Sequence, residues 1–171
     1  MNLMLVGVMV LTAGCSSVNE DSGKLGYEPQ VRDSRDVEKE IGRVSSGLLD
    51  MLQIKGKVTE PGPMASTCPA GSGATHDLRW VRHPWSMYGV DRKILQKGVD
   101  NLLSRLSAGR GWKVVRSGPD KSRNRNLEIL ALHLETRTHV EVTWMKGLDG
   151  REPLIDFAVY SRCFRDPDHS T

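Results

Sequence analysis

Residues 138–145 read THVEVTWM, and the order of apolar and polar side chains in this stretch decides the fold. Every second residue is apolar, so an extended chain places apolar and polar side chains on opposite sides. The apolar side holds Val140, Val142 and Trp144, and the polar side holds His139, Glu141 and Thr143. The stretch therefore predicts a strand in a sheet that buries one face and exposes the other to water.

Similar patterns, separated by turn residues, surround this strand. In residues 154–163 the apolar side chains of Ile155, Phe157 and Val159 alternate with those of Asp156, Ala158 and Tyr160. The strand that contains THVEVTWM is predicted to span residues 138–146, and further strands are predicted at residues 78–83, 112–116 and 127–135, with a short one at residues 57–59. Prolines and glycines predict a loop across residues 56–76, and residues 84–90 are predicted to connect a strand to a helix.

Two stretches have the period of a helix that buries one stripe. The first spans residues 33–52, with Asp33 or Ser34 as its cap and a stripe of Val37, Ile41, Val44, Leu48 and Leu52. The second follows Asp91, ends at Gly109 and Gly111, and has a stripe of Leu95, Val99, Leu102 and Leu106. We therefore predict an α+β two-layer sandwich, with two helices on one face of a largely antiparallel sheet of four to six strands.

The composition indicates one folded domain. The chain has 171 residues, of which 38% are hydrophobic and 26% charged, values typical of globular proteins. Its 24 Lys and Arg nearly balance its 21 Asp and Glu, giving a net charge of +3. Proteins that bind nucleic acid carry a stronger basic excess, so nucleic acid is not an expected partner.

The N-terminal residues have the pattern of an export signal. Residues 3–11, LMLVGVMVL, are long enough for the apolar part of a signal peptide but too short to span a bilayer. Residues 11–17, LTAGCSS, follow, and their Ala13-Gly14-Cys15 core resembles a bacterial lipobox. The alternative is an unmodified Cys15 within an ordinary secretory signal or a disordered N-terminal end.

The lipobox resemblance implies three segments. Residues 1–14 form a lipoprotein signal peptide, residues 15–32 a flexible tether, and residues 33–171 the single α+β domain. Cys15 carries the lipid and is the contact with the membrane. The whole chain resembles the small uncharacterised lipoproteins that actinobacteria export, which implies the outer face of the bacterial cytoplasmic membrane.

With Cys15 assigned to the lipid, Cys68 and Cys163 remain as one pair in a compartment that permits oxidation. We predict a disulfide between them. Two free thiols or a redox-active pair are the alternatives, although no Cys-x-x-Cys arrangement is present.

Two surfaces are candidates for binding. In residues 82–90, RHPWSMYGV, the side chains of Arg82, His83, Trp85 and Tyr88 are candidate ligand contacts, while the alternative places the tryptophan in the core. In residues 116–125, RSGPDKSRNR, a second set is a candidate contact for anionic lipid or polymer, with a solvated hairpin loop as the alternative. This second set consists of Arg116, Lys121, Arg123 and Arg125.

No motif identifies a reaction. His133 and His139 flank a turn, but a metal site is not expected without an HExxH or Cys/His cluster, and no cofactor is expected. Glu141 and Asp156 are expected on the solvated face of the sheet. The predicted function is a non-enzymatic, membrane-anchored domain that binds an envelope protein or ligand. An envelope hydrolase is the alternative, and it would need a pocket with convergent polar groups.

Overall fold

The computed structural model describes residues 25–59, 61–69, 78–148 and 150–169. Within these residues the helices are α1 (Ser34–Leu52) and α2 (Arg92–Ala108), and a short 3-10 helix covers Pro167–His169. The strands are β1 (Lys57–Val58), β2 (Met64–Thr67), β3 (Leu78–Tyr88), β4 (Trp112–Pro119), β5 (Leu127–His133), β6 (Thr138–Met145), β7 (Leu154–Tyr160) and β8 (Phe164–Arg165).

All the strands join one antiparallel sheet. Six of them follow the order β1-β3-β7-β6-β5-β4, and the short strands β2 and β8 also pair with β3. The buried stripes of α1 and α2 pack into a single core with the apolar side chains of the sheet, so both helices cover the same face. This arrangement confirms the predicted fold class. The six strands in the main order agree with the predicted range, and β2 and β8 are additional.

The face that the helices cover is the one predicted for residues 138–145. Val140, Val142 and Trp144 are buried there, whereas His139 and Glu141 on the opposite face are exposed. We call the covered side the helix face of the sheet and the other side the open face.

Strand β3 is longer than predicted, because Pro84 lies inside it. The residues predicted to connect a strand to a helix, 84–90, instead continue β3 to Tyr88. The backbone N–H and C=O groups of even-numbered residues in β3 point toward β1 and β2. Two hydrogen bonds show this: Cys68 N donates to the Leu78 carbonyl, and Thr59 N donates to the Ser86 carbonyl. Pro84, which has no N–H, lies between the segments that pair with β2 and β1. The strand therefore loses no ladder bond at the proline.

Other boundaries also differ from the predictions, and β5 ends at His133, two residues before its predicted end. Strand β2 lies inside the predicted loop of residues 56–76, and β7 ends at Tyr160 before the chain turns into β8. Strand β4 continues to Pro119 and has a bulge between Val114 and Arg116, where Val115 is exposed. A bulge adds a residue to one strand and shifts its alternation, so the apolar pattern of β4 is weak.

The predicted lipid anchor and signal peptide lie outside the described residues, as do residues 15–24 of the predicted tether. Residues 25–32 lie along the domain: Arg165 N donates to the Gln30 carbonyl and Arg32 N donates to the Arg165 carbonyl. Leu25 packs beside Cys68 and Cys163. None of the described helices is long and apolar enough to cross a membrane.

The predicted cysteine pair lies at disulfide distance. Cys68 follows β2, Cys163 precedes β8, and their Cα atoms are 5.8 Å apart. Both side chains are buried against Leu78. The disulfide therefore fastens the proline-rich segment to the C-terminal part of the sheet.

Candidate functional site

A cavity of about 270 Å³ opens between α1 and the adjacent part of the sheet. Its residues come from α1, from the segment between β1 and β2, and from β3. They are Ser45, Ser46, Leu49, Val58, Thr59, Gly62, His83 and Trp85.

Helical and strand periodicity explain why these residues meet. Ser45 lies beside the buried stripe of α1, and Leu49 follows one turn later on the same side. His83 and Trp85 are two residues apart in β3, so both point to the helix face. Gly62 has a φ of +72°, which a glycine adopts without strain, and it turns the chain past the cavity.

Trp85 supplies the most unusual feature of the cavity. Only 4% of its surface is exposed, and its ring stacks parallel on Phe157 with centroids 3.8 Å apart. Its Nε1–H is buried and has no hydrogen-bond partner among the residues that the structure describes. Buried indole N–H groups usually have an acceptor, since an unsatisfied donor destabilises the fold. Trp85, one of the residues that line the cavity, thus carries a buried donor that lacks an acceptor among the described residues.

His83 and Ser45 form the polar pair of the cavity. Nδ1 of His83 lies 2.8 Å from Oγ of Ser45, within hydrogen-bond distance. Burial lowers the pKa of His83 below its usual value, because a charged imidazole loses hydration in this position. The ring is therefore neutral at pH 7 and can donate through one nitrogen and accept through the other.

Thr59 holds the rim of the cavity to β3. Its backbone N donates to the Ser86 carbonyl, and its Oγ1 accepts a hydrogen bond from Ser86 N at 2.8 Å. These two bonds replace strand pairing beside Pro84. On the other side of Pro84, β2 pairs with β3, so the segment that lines the cavity is fixed to the sheet on both sides of the proline gap.

The structure divides the first predicted set of ligand contacts into two pairs. His83 and Trp85 lie on the helix face and both line the cavity, but Trp85 belongs to the buried core, as the alternative prediction had it. Arg82 and Tyr88 occupy even-numbered positions of β3 and face the open side. The alternation of β3 separates them, because it continues through Pro84. Arg82 is exposed and its Cα is paired with that of Tyr160 in β7.

The second predicted set is also divided. Arg116 forms a salt bridge with Glu128 on the neighbouring strand β5. Lys121, Arg123 and Arg125 are exposed in the connection between β4 and β5. In that connection Asp120 accepts hydrogen bonds from the backbone and hydroxyl of Ser122, and the hydroxyl bond lowers the pKa of its carboxyl. The connection is thus an ordered turn that presents three cations to solvent.

The remaining candidate residues do not converge. His133 faces the helix side, where its Nδ1 lies 2.8 Å from Thr136 Oγ1, and His139 lies on the open face. Glu141 and Asp156 both lie on the open face, as predicted, but each binds a neighbour: Glu141 accepts from the Tyr160 hydroxyl and Asp156 from the Ser86 hydroxyl. Among the described residues, no three His, Cys, Asp or Glu side chains are placed to hold a metal ion.

A larger cavity of about 400 Å³ lies at the end of the fold near residues 25–32, and part of its charged lining is paired internally. Arg32 makes two hydrogen bonds to the Glu40 carboxylate, at 3.1 and 2.9 Å. The guanidinium of Arg162 lies over the Tyr27 ring, 4.5 Å from its centroid. We take the smaller cavity as the candidate site because Trp85, one of its lining residues, has a buried donor without an acceptor among the described residues.

Sequence reasoning did not identify Ser45, Thr59 or Gly62 as site residues. Ser45 and Ser46 interrupt the apolar pattern of α1, but solvated serines in a helix look the same in sequence. Only the packing of α1 on β3 places Ser45 next to His83, 38 residues further along the chain.

Comparisons with protein-family models, with curated protein sequences and with solved structures find no match to this chain. The site therefore rests on its own geometry.

Proposed function

We propose that this protein is a lipid-anchored, extracytoplasmic binding protein that holds a small ligand in the cavity between α1 and β3. The observation that supports this proposal is the buried, unpaired Nε1–H of Trp85, a residue that lines the cavity. A ligand with a hydrogen-bond acceptor would give that donor the partner it lacks.

The lining specifies the class of ligand. Leu49, Val58 and the Trp85 ring supply apolar surface, while His83 and Ser45 supply a neutral polar pair. Charged side chains are absent from the described lining, so an ion would find no counter-charge there. The volume, about 270 Å³, lies just below the usual range for drug-sized ligands. The proposed ligand is therefore small, uncharged and largely apolar, and carries a carbonyl-type acceptor.

The location is proposed from the sequence around Cys15. A diacylated cysteine at the lipobox would anchor the domain at the outer face of the cytoplasmic membrane. A disulfide between Cys68 and Cys163 fits that location, because disulfides persist in oxidising compartments outside the cytoplasm.

The pairing of Ser45 with His83 favours one alternative, an envelope hydrolase that uses them as nucleophile and base. The surroundings of the pair favour binding instead. Among the described residues, no carboxylate bonds to the His83 ring, so no third group orients it. Ser45 lies in the body of α1, where backbone N–H groups are used within the helix and cannot form an oxyanion hole.

Titration with benzamide, which combines a ring with a carbonyl acceptor, tests the cavity. In a spectrum of the 15N-labelled indole groups, we expect a saturable shift of the Trp85 Nε1–H signal. Trp144 is the internal control, because its Nε1 already donates to Gln96 Oε1 at 2.8 Å. A matched variant, Trp85→Phe, keeps an aromatic ring but removes the donor, and it should weaken binding. Equal shifts at both tryptophans, or no shift at millimolar benzamide, would refute the cavity proposal.

Mass spectrometry of the protein from its native membrane fraction tests the anchor. We expect an N-terminal peptide that starts at a diacylated Cys15. An unmodified Cys15 in that peptide would refute the anchor and leave the cavity proposal standing.

A further inference from the structure

Four cations surround a concavity at the end of the fold where α2 begins and β6 finishes. Arg92, Lys93 and Lys97 come from α2, and Lys146 follows β6. The concavity has a volume of about 340 Å³ and is also lined by Gln96, Asp100 and the Trp144 indole. We call this part of the molecule, with the adjoining connection between β4 and β5, the basic end.

These cations have no carboxylate partners in the described part of the chain. The salt bridges found there join Arg32 to Glu40, Arg35 to Asp33, Lys39 to Asp36 and Arg116 to Glu128, and none of these residues lines the concavity. The carboxylate of Asp100 accepts a hydrogen bond from Gln96 Nε2 at 2.9 Å, and Gln96 in turn accepts from Trp144. The positive charge of the basic end is thus available to a partner.

The connection between β4 and β5 extends this charge. Leu127, which begins β5, is paired with Trp144 at the end of β6, so the connection lies at the same end of the sheet as Lys146. Lys121, Arg123 and Arg125 are exposed there.

Large apolar side chains are exposed at the same end. Ile94 lies in the first turn of α2, Met145 ends β6, and Leu148 lies in the turn that follows. Their exposed fractions are 41%, 39% and 53%. A soluble polyanion would be bound by the cations alone, whereas a bilayer surface offers both anionic headgroups and an apolar layer beneath them.

We infer that the basic end docks on a bilayer rich in anionic phospholipid, with the cations at the headgroups and Ile94, Met145 and Leu148 inserted below them. This contact is separate from the anchor proposed at Cys15 and from the cavity. It is also far from the place where residues 25–32 join the domain, because Leu25 packs beside the disulfide at the opposite end.

Vesicle co-sedimentation of the full chain with Cys15→Ser tests the docking, since this protein carries no acyl chain. We expect binding to vesicles of phosphatidylglycerol and phosphatidylethanolamine, weak binding to phosphatidylcholine vesicles, and release at high salt. The variant Lys93→Glu/Lys97→Glu should lower the affinity for phosphatidylglycerol vesicles at least tenfold. Failure of the parent protein to bind these vesicles would refute the docking.

Two further comparisons make the test specific. The matched control Arg35→Glu/Lys39→Glu makes the same charge change at the opposite end of the fold and should retain binding to the vesicles. An equal loss of binding in this control would show only a general effect of charge and would overturn the assignment.

Leu148→Ser should weaken binding to vesicles but not to soluble polyphosphate. If Leu148→Ser leaves vesicle binding unchanged, the partner is a polyanion in general and the membrane assignment fails. Thermal melts of each variant verify that it is folded, and the benzamide titration of Trp85 reports separately on the cavity.

Discussion

Removing the disulfide with Cys68→Ala and Cys163→Ala should destabilise the domain strongly. The bond joins residues 95 positions apart, and cross-linking a loop of that length removes a large number of conformations from the unfolded chain. Alanine is the preferred replacement because both cysteines are buried in an apolar cluster, where a serine hydroxyl would add a desolvation cost of its own.

The magnitude follows from the loop length. Chain-entropy arithmetic for such a loop gives about 4.7 kcal/mol at 25 °C as an upper value, and losses of native disulfides usually measure about 2 to 5 kcal/mol. For a domain of this size, each kcal/mol lowers Tm by about 2 to 4 °C. The expected decrease in Tm for the double variant is therefore about 4 to 20 °C.

Thermal unfolding followed by circular dichroism measures this decrease. Each single variant should lose about as much stability as the double variant, because either substitution removes the whole cross-link. The Cys15→Ser variant is the control, and it should melt like the parent protein. A double variant that melts within about 2 °C of the parent, less than 1 kcal/mol at this domain size, would refute the reasoning.

Two other perturbations test local features of the fold. Gly147 and Gly150 both have positive φ, but a Cβ on Gly147 would approach the Arg151 carbonyl oxygen closely, whereas one on Gly150 would meet nothing within 4 Å. Gly150→Ala should therefore cost about 1 to 2 kcal/mol of unfolding free energy, and Gly147→Ala should cost about 1 to 3 kcal/mol more; equal losses in urea titrations would contradict the packing. Burial lowers the pKa of His83, and partial desolvation of the exposed His139 ring, together with the charge of Arg162, lowers the pKa of His139. As the pH decreases, these histidines are protonated in the unfolded chain before they are protonated in the folded protein. Their contribution to the free energy of unfolding should therefore be complete above pH 6.5 and should decrease as the pH falls toward the lowered pKa values. The variants His83→Asn and His139→Asn should each flatten that decrease, and a pH profile identical to that of the parent would contradict the assignment.

Local patterns were sufficient to predict the layers of the fold. The stripes of α1 and α2 and the alternation in β6 each lie within one element, so they can be read without knowing the neighbours. The pairing of Cys68 with Cys163 was also predictable, because assigning Cys15 to the lipid left only one possible bridge.

The cavity was not predictable, because its parts meet only through tertiary packing. His83 and Trp85 were recognised as candidates, but Pro84 between them indicated the end of a strand. If the strand had been predicted to continue through Pro84, its alternation alone would have placed Arg82 and Tyr88 on the opposite face from His83 and Trp85. The position of Pro84 opposite a gap between β1 and β2 depends on long-range pairing, which single-sequence patterns do not reveal. The lack of an acceptor for Trp85 Nε1 depends on every group packed around it.

Both outer borders of the sheet are discontinuous, and this affects how copies of the chain behave when crowded. An extended segment of another molecule adds to a sheet by pairing with an unbroken row of backbone N–H and C=O groups. On one side the bulge at Val115 interrupts that row in β4. On the other side β1 and β2 are short and leave Pro84, which has no N–H, in the gap between them. Many copies concentrated on one bilayer would therefore lack a regular template for intermolecular strand pairing, and high surface density would not lead directly to β-aggregation.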